Sequence, residues 1–328
     1  MKFSFSEPGL PKNGAVIVCV GEGSKLSATA KLLDKSTSGA LSRAIKESRF
    51  TGKNSQFLDI MAPSGVAYGR IILIGIGKGL DENDQQALGG RLYARLNQAG
   101  IKTAHLVVEA TGRDLTIAAA NVAYGVLLRS YRFDKYRTKE KAEVKPTLKM
   151  FTLRVKGAAS ARRAFSPREK IANGVFFTRD LVSEPPNVLY PESFVKEIKS
   201  LTKLGIKVEI LGEKQMQKLG MGALLGVGQG SIRESHIAIM RWEGAAKSKK
   251  PIAFIGKGVT FDTGGISLKP GPGMQDMKWD MGGAGTVAGL MKALAGRKAR
   301  VNAIGLIGLV ENMPDGNAQR PGDIVTTM

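Results

Sequence analysis

The sequence predicts an α/β protein with two domains. Its 328 residues exceed the usual size of a single domain. Short apolar runs alternate with helical patterns through about the first 160 residues, and a second alternation of the same kind follows. Such alternation is typical of a largely parallel sheet covered by helices. We therefore expect an N-terminal α/β domain over residues 1–160 and a second α/β domain with a central, mostly parallel sheet over residues 161–328.

The N-terminal domain is predicted from apolar runs and from apolar positions three and four residues apart. The runs predict strands at 16–20, 70–76, 103–108 and 148–155. The helical spacing predicts helices at 38–46, 85–99 and 115–128. The polar stretch 131–146 is predicted to be a surface loop before the last of these strands.

The second domain is predicted to open with a helix. Ser166, Pro167 and Glu169 form a typical helix start, with serine as the cap and proline in the first turn. This helix is expected to run to about residue 182. Further helices are predicted at 191–204, 213–219 and 283–294, and strands at 208–211, 236–242, 251–255 and 301–310. The last two strands, with the helix between them, form a βαβ unit.

Composition excludes several classes of protein. The longest apolar runs, 71–76 and 303–310, are too short to span a bilayer. The N-terminus has no apolar segment of the signal-peptide type, so we expect no membrane partner and no export. The single cysteine, Cys19, excludes an internal disulfide and agrees with a reducing, cytoplasmic location. Two histidines exclude a histidine-rich zinc site.

The formal net charge of +21 raises the question of a polyanionic partner. Clustered lysine and arginine residues gain affinity for nucleic acid by releasing counterions from its phosphates. The basic residues here are spread along the whole chain, however, and the densest patches, 129–145 and 247–250, lack the interleaved aromatic residues of a single-strand binder. A solvated basic surface is the preferred interpretation, and nucleic acid is the partner that it leaves open.

The stretch 256–287 combines glycine with charged residues directly after the apolar run 252–255. A phosphate loop is one interpretation, because Lys257 lies between two glycines at the end of a predicted strand. The P-loop pattern G-x-x-x-x-G-K-[ST] is not met, since residue 251 is proline and residue 258 is glycine. The stretch is therefore not predicted to bind a nucleotide through a P-loop.

A metal site explains more of these residues. Asp262 and Asp280 offer hard oxygen ligands for a divalent cation, just outside the carboxyl end of a strand, where open α/β sheets place their sites. Each residue also has a simpler interpretation: Asp262 could close an Asx-turn, and Asp280 could cap the following helix. Three lysines could be merely solvated: Lys257, Lys269 and Lys278. The metal site is preferred because it accounts for all of them together.

The same stretch resembles the signature of the leucyl aminopeptidase family (cytosol aminopeptidases, peptidase family M17). The matching segments are Gly-Lys-Gly at 256–258, Thr-Phe-Asp at 260–262, Gly-Gly-Ile-Ser-Leu-Lys at 264–269 and Met-Lys-Trp-Asp-Met-Gly-Gly-Ala at 277–284. Residues 311–314 and 320–323 are similar to the family's next segment, and residues 179–181, 186–187 and 191 to the helix that opens its catalytic domain. Over residues 1–160 the resemblance extends only to general architecture.

The resemblance implies a metal-dependent aminopeptidase that releases N-terminal amino acids, with a leucine-type preference, from peptides by two-metal hydrolysis. It assigns the metal ligands as Lys257, Asp262 and Asp280, with Asp262 touching both ions, which would be Mn²⁺ or Zn²⁺. Lys269 matches a catalytic and substrate-binding residue that stabilises the oxyanion of the tetrahedral intermediate. Met277 falls where the family lines its substrate pocket.

The resemblance also implies features of the whole assembly. The N-terminal domain would serve regulation and assembly, in a cytoplasmic homo-hexamer that acts on peptides. A second family signature, with two further carboxylate ligands and an arginine that holds bicarbonate, should follow Gly322–Asp323, whereas the chain ends at Met328. We therefore expect a C-terminally truncated member, inactive as written. The alternative function is a basic nucleic-acid-binding protein on the same scaffold with a vestigial, inactive metal site.

Overall fold

The computed structural model describes residues 1–109 and 114–327, and the chain divides into two compact units. The first unit is Met1–Glu169 and the second begins at Lys170. The division lies inside a long helix, Ala158–Ser183, whereas the sequence analysis places the domain boundary at residue 160. Each unit has its own hydrophobic core.

The first unit is built on a seven-stranded sheet. Its strands are β1 (Lys2–Ser6), β2 (Ala15–Gly21), β3 (Lys25–Leu26), β4 (Phe57–Met61), β5 (Arg70–Gly75), β6 (Thr103–Val107) and β7 (Met150–Arg154). The order is β1-β7-β6-β2-β5-β4, with β3 paired to β2. All neighbours are parallel except β4 with β5 and β3 with β2. The predicted mostly parallel α/β sheet is confirmed here, with β1, β3 and β4 as strands that the sequence analysis did not predict.

Helices cover both faces of this sheet. They are α1 (Ala28–Ser36), α2 (Ala40–Lys46), α3 (Glu82–Gln98), α4 (Leu115–Arg129) and α5 (Ala158–Ser183), the last of which continues into the second unit. Alternate residues of β2 enter two cores: Ile17 and Cys19 join the core under α3 and α4, while Val18 joins the core under α1 and α2. Burial raises the pKa of the Cys19 thiol to about 12. The continuous apolar run in β2 reflects burial on both faces.

Helix α5 corrects the predicted helix start at Ser166. The helix begins at Ala158, and Pro167 lies inside it. Proline removes one backbone hydrogen bond and is unfavourable in a helix interior, so local propensity predicts a start at this point. Ala161 and Phe165 are fully buried in the core of the first unit, and their burial favours a helix that begins earlier. Tertiary packing therefore outweighs the local preference of the proline.

The second unit contains a four-stranded mixed sheet in the part that the structure describes. The strands are β8 (Lys207–Leu211), β9 (His236–Glu243), β10 (Ile252–Asp262) and β11 (Asn302–Asn312), in the order β10-β11-β9-β8. Only β10 and β11 are parallel, since β11–β9 and β9–β8 are antiparallel. The predicted βαβ unit is thus confirmed. The rest of this sheet is less parallel than expected, because β9 runs opposite to both of its neighbours, β8 and β11.

The helices of the second unit are short except for the one that joins β10 to β11. They are α6 (Pro191–Ser200), α7 (Glu213–Lys218), α8 (Gly222–Gly228) and α9 (Gly282–Gly296), with short 3₁₀ segments at Leu201–Leu204 and Met274–Trp279. Residues of α6 and α9 pack in one core with alternate residues of β9 and β11. Helix α9 therefore packs on the sheet whose strand β10 leads into the charged stretch 256–287.

Two features of the described residues concern the predictions about membrane and nucleic-acid partners. In the described residues, no helix combines the length and the apolar character needed to cross a membrane. Within the basic segment 129–145, Arg132 pairs with Glu140 at 2.5 Å and lies 3.6 Å from Asp134. Part of the positive charge of this segment is thus balanced locally, as a solvated surface allows.

The contact between α3 and α4 provides a matched test of the first unit. A Cβ added at Gly89 would meet the Val122 carbonyl oxygen and lie 2.8 Å from the Val126 nitrogen, both backbone atoms of α4. A Cβ added at the next residue, Gly90, would lie 3.9 Å from its nearest neighbours, which is ordinary van der Waals contact. We expect Gly89→Ala to destabilise the unit by about 1–3 kcal/mol through overpacking. Gly90→Ala should stabilise it by up to about 1 kcal/mol through helix propensity.

Differential scanning calorimetry of the two variants and the parent chain measures both effects. A lower melting transition for Gly89→Ala together with an equal or higher one for Gly90→Ala is expected. Equal shifts for the two substitutions would contradict the close approach of α3 to α4.

Candidate functional site

A bulge in β10 determines which face of the sheet carries Asp262. Lys257 pairs with Gly308 of β11, and Asp262 pairs with Asn312, with a register shift between residues 259 and 262. Gly308 and Asn312 are four residues apart on a regular strand, so Lys257 and Asp262 lie on the same face. Five residues of uninterrupted strand would have placed them on opposite faces. The bulge therefore brings the two side chains to one side of the sheet.

Close backbone packing brings Asp280 to the same place. A Cβ at Gly256 would lie 2.6 Å from the Gly283 carbonyl oxygen, so glycine is required where α9 begins against β10. Asp280 lies just before that helix, and its Oδ1 and Oδ2 accept hydrogen bonds from Lys257 Nζ at 2.6 and 2.8 Å. Asp280 does not cap the helix, because the N-cap position is Met281. The capping interpretation of Asp280 is therefore wrong.

Asp262 is held by hydrogen bonds at both carboxylate oxygens. Oδ2 lies 2.8 Å from the ammonium nitrogen of Lys269. Oδ1 accepts the backbone N–H of Gly264 at 2.9 Å, which is the Asx-turn considered from the sequence, and the side-chain amide of Asn312 at 2.7 Å. Burial by itself raises the pKa of Asp262. Hydrogen bonds from Lys269 and Gly264, with smaller effects from two neighbouring side chains, outweigh burial and lower this pKa to about 2.

The two carboxyl groups are also neighbours of each other. Asp280 is among the neighbours that lower the pKa of Asp262, and the side chains of Asp262 and Asp280 are only 15% and 22% exposed. Two carboxylates this close repel each other unless positive charge lies beside them. Lys257 and Lys269 supply one ammonium group to each. The site therefore contains two ion pairs, Lys257 with Asp280 and Lys269 with Asp262.

This donor set fits a divalent cation. Carboxylate oxygens are ligands for Mn²⁺ and Zn²⁺, and a lysine amine can join them when it is neutral. Asp262, Asp280 and Lys257 offer three such donors on one side of the sheet. Among residues 1–109 and 114–327, no group of three or more histidine, cysteine, aspartate or glutamate side chains is arranged to hold a metal ion. The donors available in the described chain are thus two carboxylates and one amine.

Lys269 and Met277 lie next to this donor set. Lys269 Nζ is 3.1 Å from the sulfur of Met277, and the Lys269 side chain is about one third exposed. Lys278 points elsewhere, since its Nζ lies 3.4 Å from the Ser183 carbonyl oxygen. The structure therefore brings together all five residues that the sequence analysis assigned to the site and leaves Lys278 outside it.

Asn312 is a member of the site to which sequence reasoning gave no role. It ends β11, the strand that runs parallel to β10, and its amide reaches Asp262. The carboxyl ends of neighbouring parallel strands meet at one edge of a sheet. The available indication was therefore a polar residue at the end of this strand. Because the strand was predicted to end at residue 310, two residues before Asn312, the sequence analysis did not place Asn312 at the edge of the sheet.

Comparison with known families identifies both units. Residues 17–140 match the N-terminal domain of the cytosol aminopeptidase family, and residues 176–328 match its catalytic domain. The two matches follow one another in the same chain and correspond to the two compact units. The catalytic-domain match contains β10, α9 and the charged stretch between them.

Individual relatives agree with this assignment. A probable cytosol aminopeptidase of Caulobacter vibrioides is 55% identical over 318 residues, which cover 96% of this chain and 64% of the relative. One from a Bradyrhizobium species is 49% identical and covers 100% of this chain and 66% of the relative. The chain thus spans just under two thirds of the length of these relatives.

Solved structures agree as well. A mutant of tomato leucine aminopeptidase superposes with a TM-score of 0.81 at 27% identity, covering 99% of this chain and 66% of that one. The bottromycin maturation enzyme BotP in complex with Mn gives a TM-score of 0.76 at 26% identity, covering 95% and 62%. Because both domain models, relatives at about half identity and these structures agree, the chain belongs to the cytosol aminopeptidase family.

Proposed function

We propose that the protein is a metal-dependent aminopeptidase that hydrolyses the N-terminal peptide bond of its substrates. The observation that carries the proposal is the pair of neighbouring carboxylates, Asp262 at the end of β10 and Asp280 before α9, each paired with a lysine. Membership of the cytosol aminopeptidase family supports the reaction class. The Mn complex of BotP supports the use of a divalent metal.

The residues of the site divide into metal-holding and substrate-facing groups. Asp262, Asp280 and Lys257 would hold a divalent ion, with Lys257 in its neutral form. When bound, such an ion polarises a carbonyl group and lowers the pKa of a bound water. The ammonium of Lys269, partly exposed beside the donor set, would face the negative charge that develops on the substrate carbonyl oxygen. Met277, in contact with Lys269, would line the pocket for the substrate's first side chain.

Finer features of the proposal extend the resemblance to the whole protein. They are a leucine-type preference, two ions of manganese or zinc per subunit, a bound bicarbonate, a homo-hexamer and a cytoplasmic location. The similarity to tomato leucine aminopeptidase supports the preference, and the names of the relatives support the location. Native mass spectrometry in the presence of Mn²⁺ measures the number of subunits and the number of ions in one experiment.

A direct test of the function compares the chain with a chimaera that continues it with the C-terminal third of the Caulobacter relative. We expect Mn²⁺-dependent hydrolysis of leucine p-nitroanilide by the chimaera and none by the 328 residues alone, because the described part of the chain brings only three metal donors to the site. Activity of the chain alone would show that another residue completes the site. A folded chimaera that binds Mn²⁺ without hydrolysing leucine, methionine or alanine anilides would count against an aminopeptidase.

Asp280→Asn tests the role of this carboxylate. The substitution keeps the shape of the side chain but removes its charge. Mutating a residue that only orients a metal ligand typically lowers metal affinity by roughly 10–100-fold. Because Asp280 would be a ligand itself, we expect a larger fall in Mn²⁺ affinity. Stability should change by less than about 1 kcal/mol, because the pair with the 60% exposed Lys257 side chain is a surface ion pair. Mn²⁺ titration and a melting curve measure the two effects.

Asp276→Asn is the matched control for this substitution. Asp276 lies four residues earlier, and its side chain forms no ion pair with the described residues. It should leave Mn²⁺ affinity unchanged. Undiminished Mn²⁺ binding by Asp280→Asn would refute the ligand role.

A second pair of substitutions separates the two lysines. Lys257→Ala should weaken Mn²⁺ binding, because it removes a ligand. Lys269→Ala should leave Mn²⁺ bound and lower the turnover of the chimaera by about 10²–10³-fold, as the loss of an oxyanion donor does. Metal content and turnover are measured on the same preparations. Loss of the metal from Lys269→Ala, with normal loading of Lys257→Ala, would reverse the two assignments.

A further inference from the structure

Asn312, at the end of β11, has a further role that rests on the proposed function. We propose that Asn312 is a positioning residue that fixes the carboxylate of Asp262, so that Oδ1 is saturated by the protein and Oδ2 is presented to the ligand. The Asn312 side chain would not contact metal or substrate itself. It would act by restricting the orientation of Asp262.

The hydrogen bonds of Asp262 divide unequally between its two oxygens. Oδ1 accepts two donors from the protein framework, Asn312 Nδ2 at 2.7 Å and the Gly264 N–H at 2.9 Å. Oδ2 lies 2.8 Å from the ammonium of Lys269, whose side chain is about one third exposed. A carboxylate oxygen that already accepts two hydrogen bonds has little remaining capacity. Oδ2 is therefore the oxygen that remains for a cation.

Asn312 is itself held in one place. Its backbone carbonyl accepts two hydrogen bonds from Thr263, from the backbone N–H at 3.0 Å and from Oγ1 at 2.9 Å. The Thr263 hydroxyl in turn accepts the Gly265 N–H at 3.2 Å. These bonds join the end of β11 to the turn that follows Asp262. A contact between Asn312 and Asp262 can therefore hold an orientation, because both residues are anchored.

The direction of the amide follows from chemistry. An ionised carboxylate accepts hydrogen bonds only, so the Asn312 nitrogen must face Asp262 and the Asn312 oxygen must face away. That oxygen lies beside Gly265, where an added Cβ would come within 2.8 Å of it. A glycine with φ of 69° thus leaves room for the amide in this orientation. Aspartate at 312 would place two acceptors against each other.

The test uses Asn312→Leu, which keeps the approximate size of the side chain and removes its donor, and Asn312→Ala as a second variant. Mn²⁺ alone is the probe, and its dissociation constant is measured by electron paramagnetic resonance of the free ion. We expect this constant to rise about 10–100-fold in both variants, as for other residues that orient a metal ligand. Crystal structures of the metal-free parent and variants provide a readout that does not depend on metal binding. They should show the Asp262 carboxylate rotated in the variants, with Oδ2 no longer facing Lys269.

Asn302→Ala is the matched control, because Asn302 begins the same strand and makes three hydrogen bonds to the loop 245–249, far along β11 from Asp262. It should lower the melting temperature without changing Mn²⁺ affinity or the Asp262 orientation. An unmoved Asp262 in both Asn312 variants would overturn the inference, whether or not the metal binds. A parent chain that binds no Mn²⁺ but whose Asp262 rotates in the variants would contradict the metal-dependent function and keep the positioning role.

Discussion

Repulsion between two carboxylates is the constraint on which the rest of the site depends. Asp262 and Asp280 are neighbours whose side chains are largely shielded from water, so their negative charges repel each other unless positive charge lies nearby. Lys257 and Lys269 provide that charge, one beside each carboxylate. A divalent cation would satisfy the same requirement at shorter range. The charges of Lys257, Asp262, Lys269 and Asp280 thus have one electrostatic cause rather than several separate ones.

Backbone geometry makes this concentration of charge attainable. Glycine at 256 lets the start of α9 approach β10 closely enough for Asp280 to meet Lys257. The bulge between residues 259 and 262 turns Asp262 to the face that carries Lys257. Bulges are typical next to active sites because they redirect a side chain without ending the strand. Both features place polar groups at the carboxyl end of a parallel pair of strands, where α/β proteins commonly bind ligands.

The two units differ in how well the sequence predicts the arrangement of strands in their sheets. In the first unit the strand β2 is buried on both faces, and alternate residues enter separate cores, so apolar runs alone indicate a covered parallel sheet. In the second unit antiparallel neighbours join one parallel pair, and no run of residues distinguishes these cases. The long helix α5 contributes to both units and carries a proline in its interior. Its early start reflects burial of Phe165, which outweighs the local cost of that proline.

The sequence by itself determined the α/β class and most of the predicted strands and helices, because periodicity is a local property. The five candidate site residues were predicted from the resemblance of one continuous stretch to the cytosol aminopeptidase family. Tertiary structure alone decided which residues meet. The pairing of Lys257 with Asp280, and not with Asp262, depends on where α9 packs against β10. The contact of Asn312 with Asp262 joins residues 50 positions apart through the register of two strands. Such contacts follow from register, bulges and close backbone approach, which depend on interactions between distant segments and leave no local pattern in the chain.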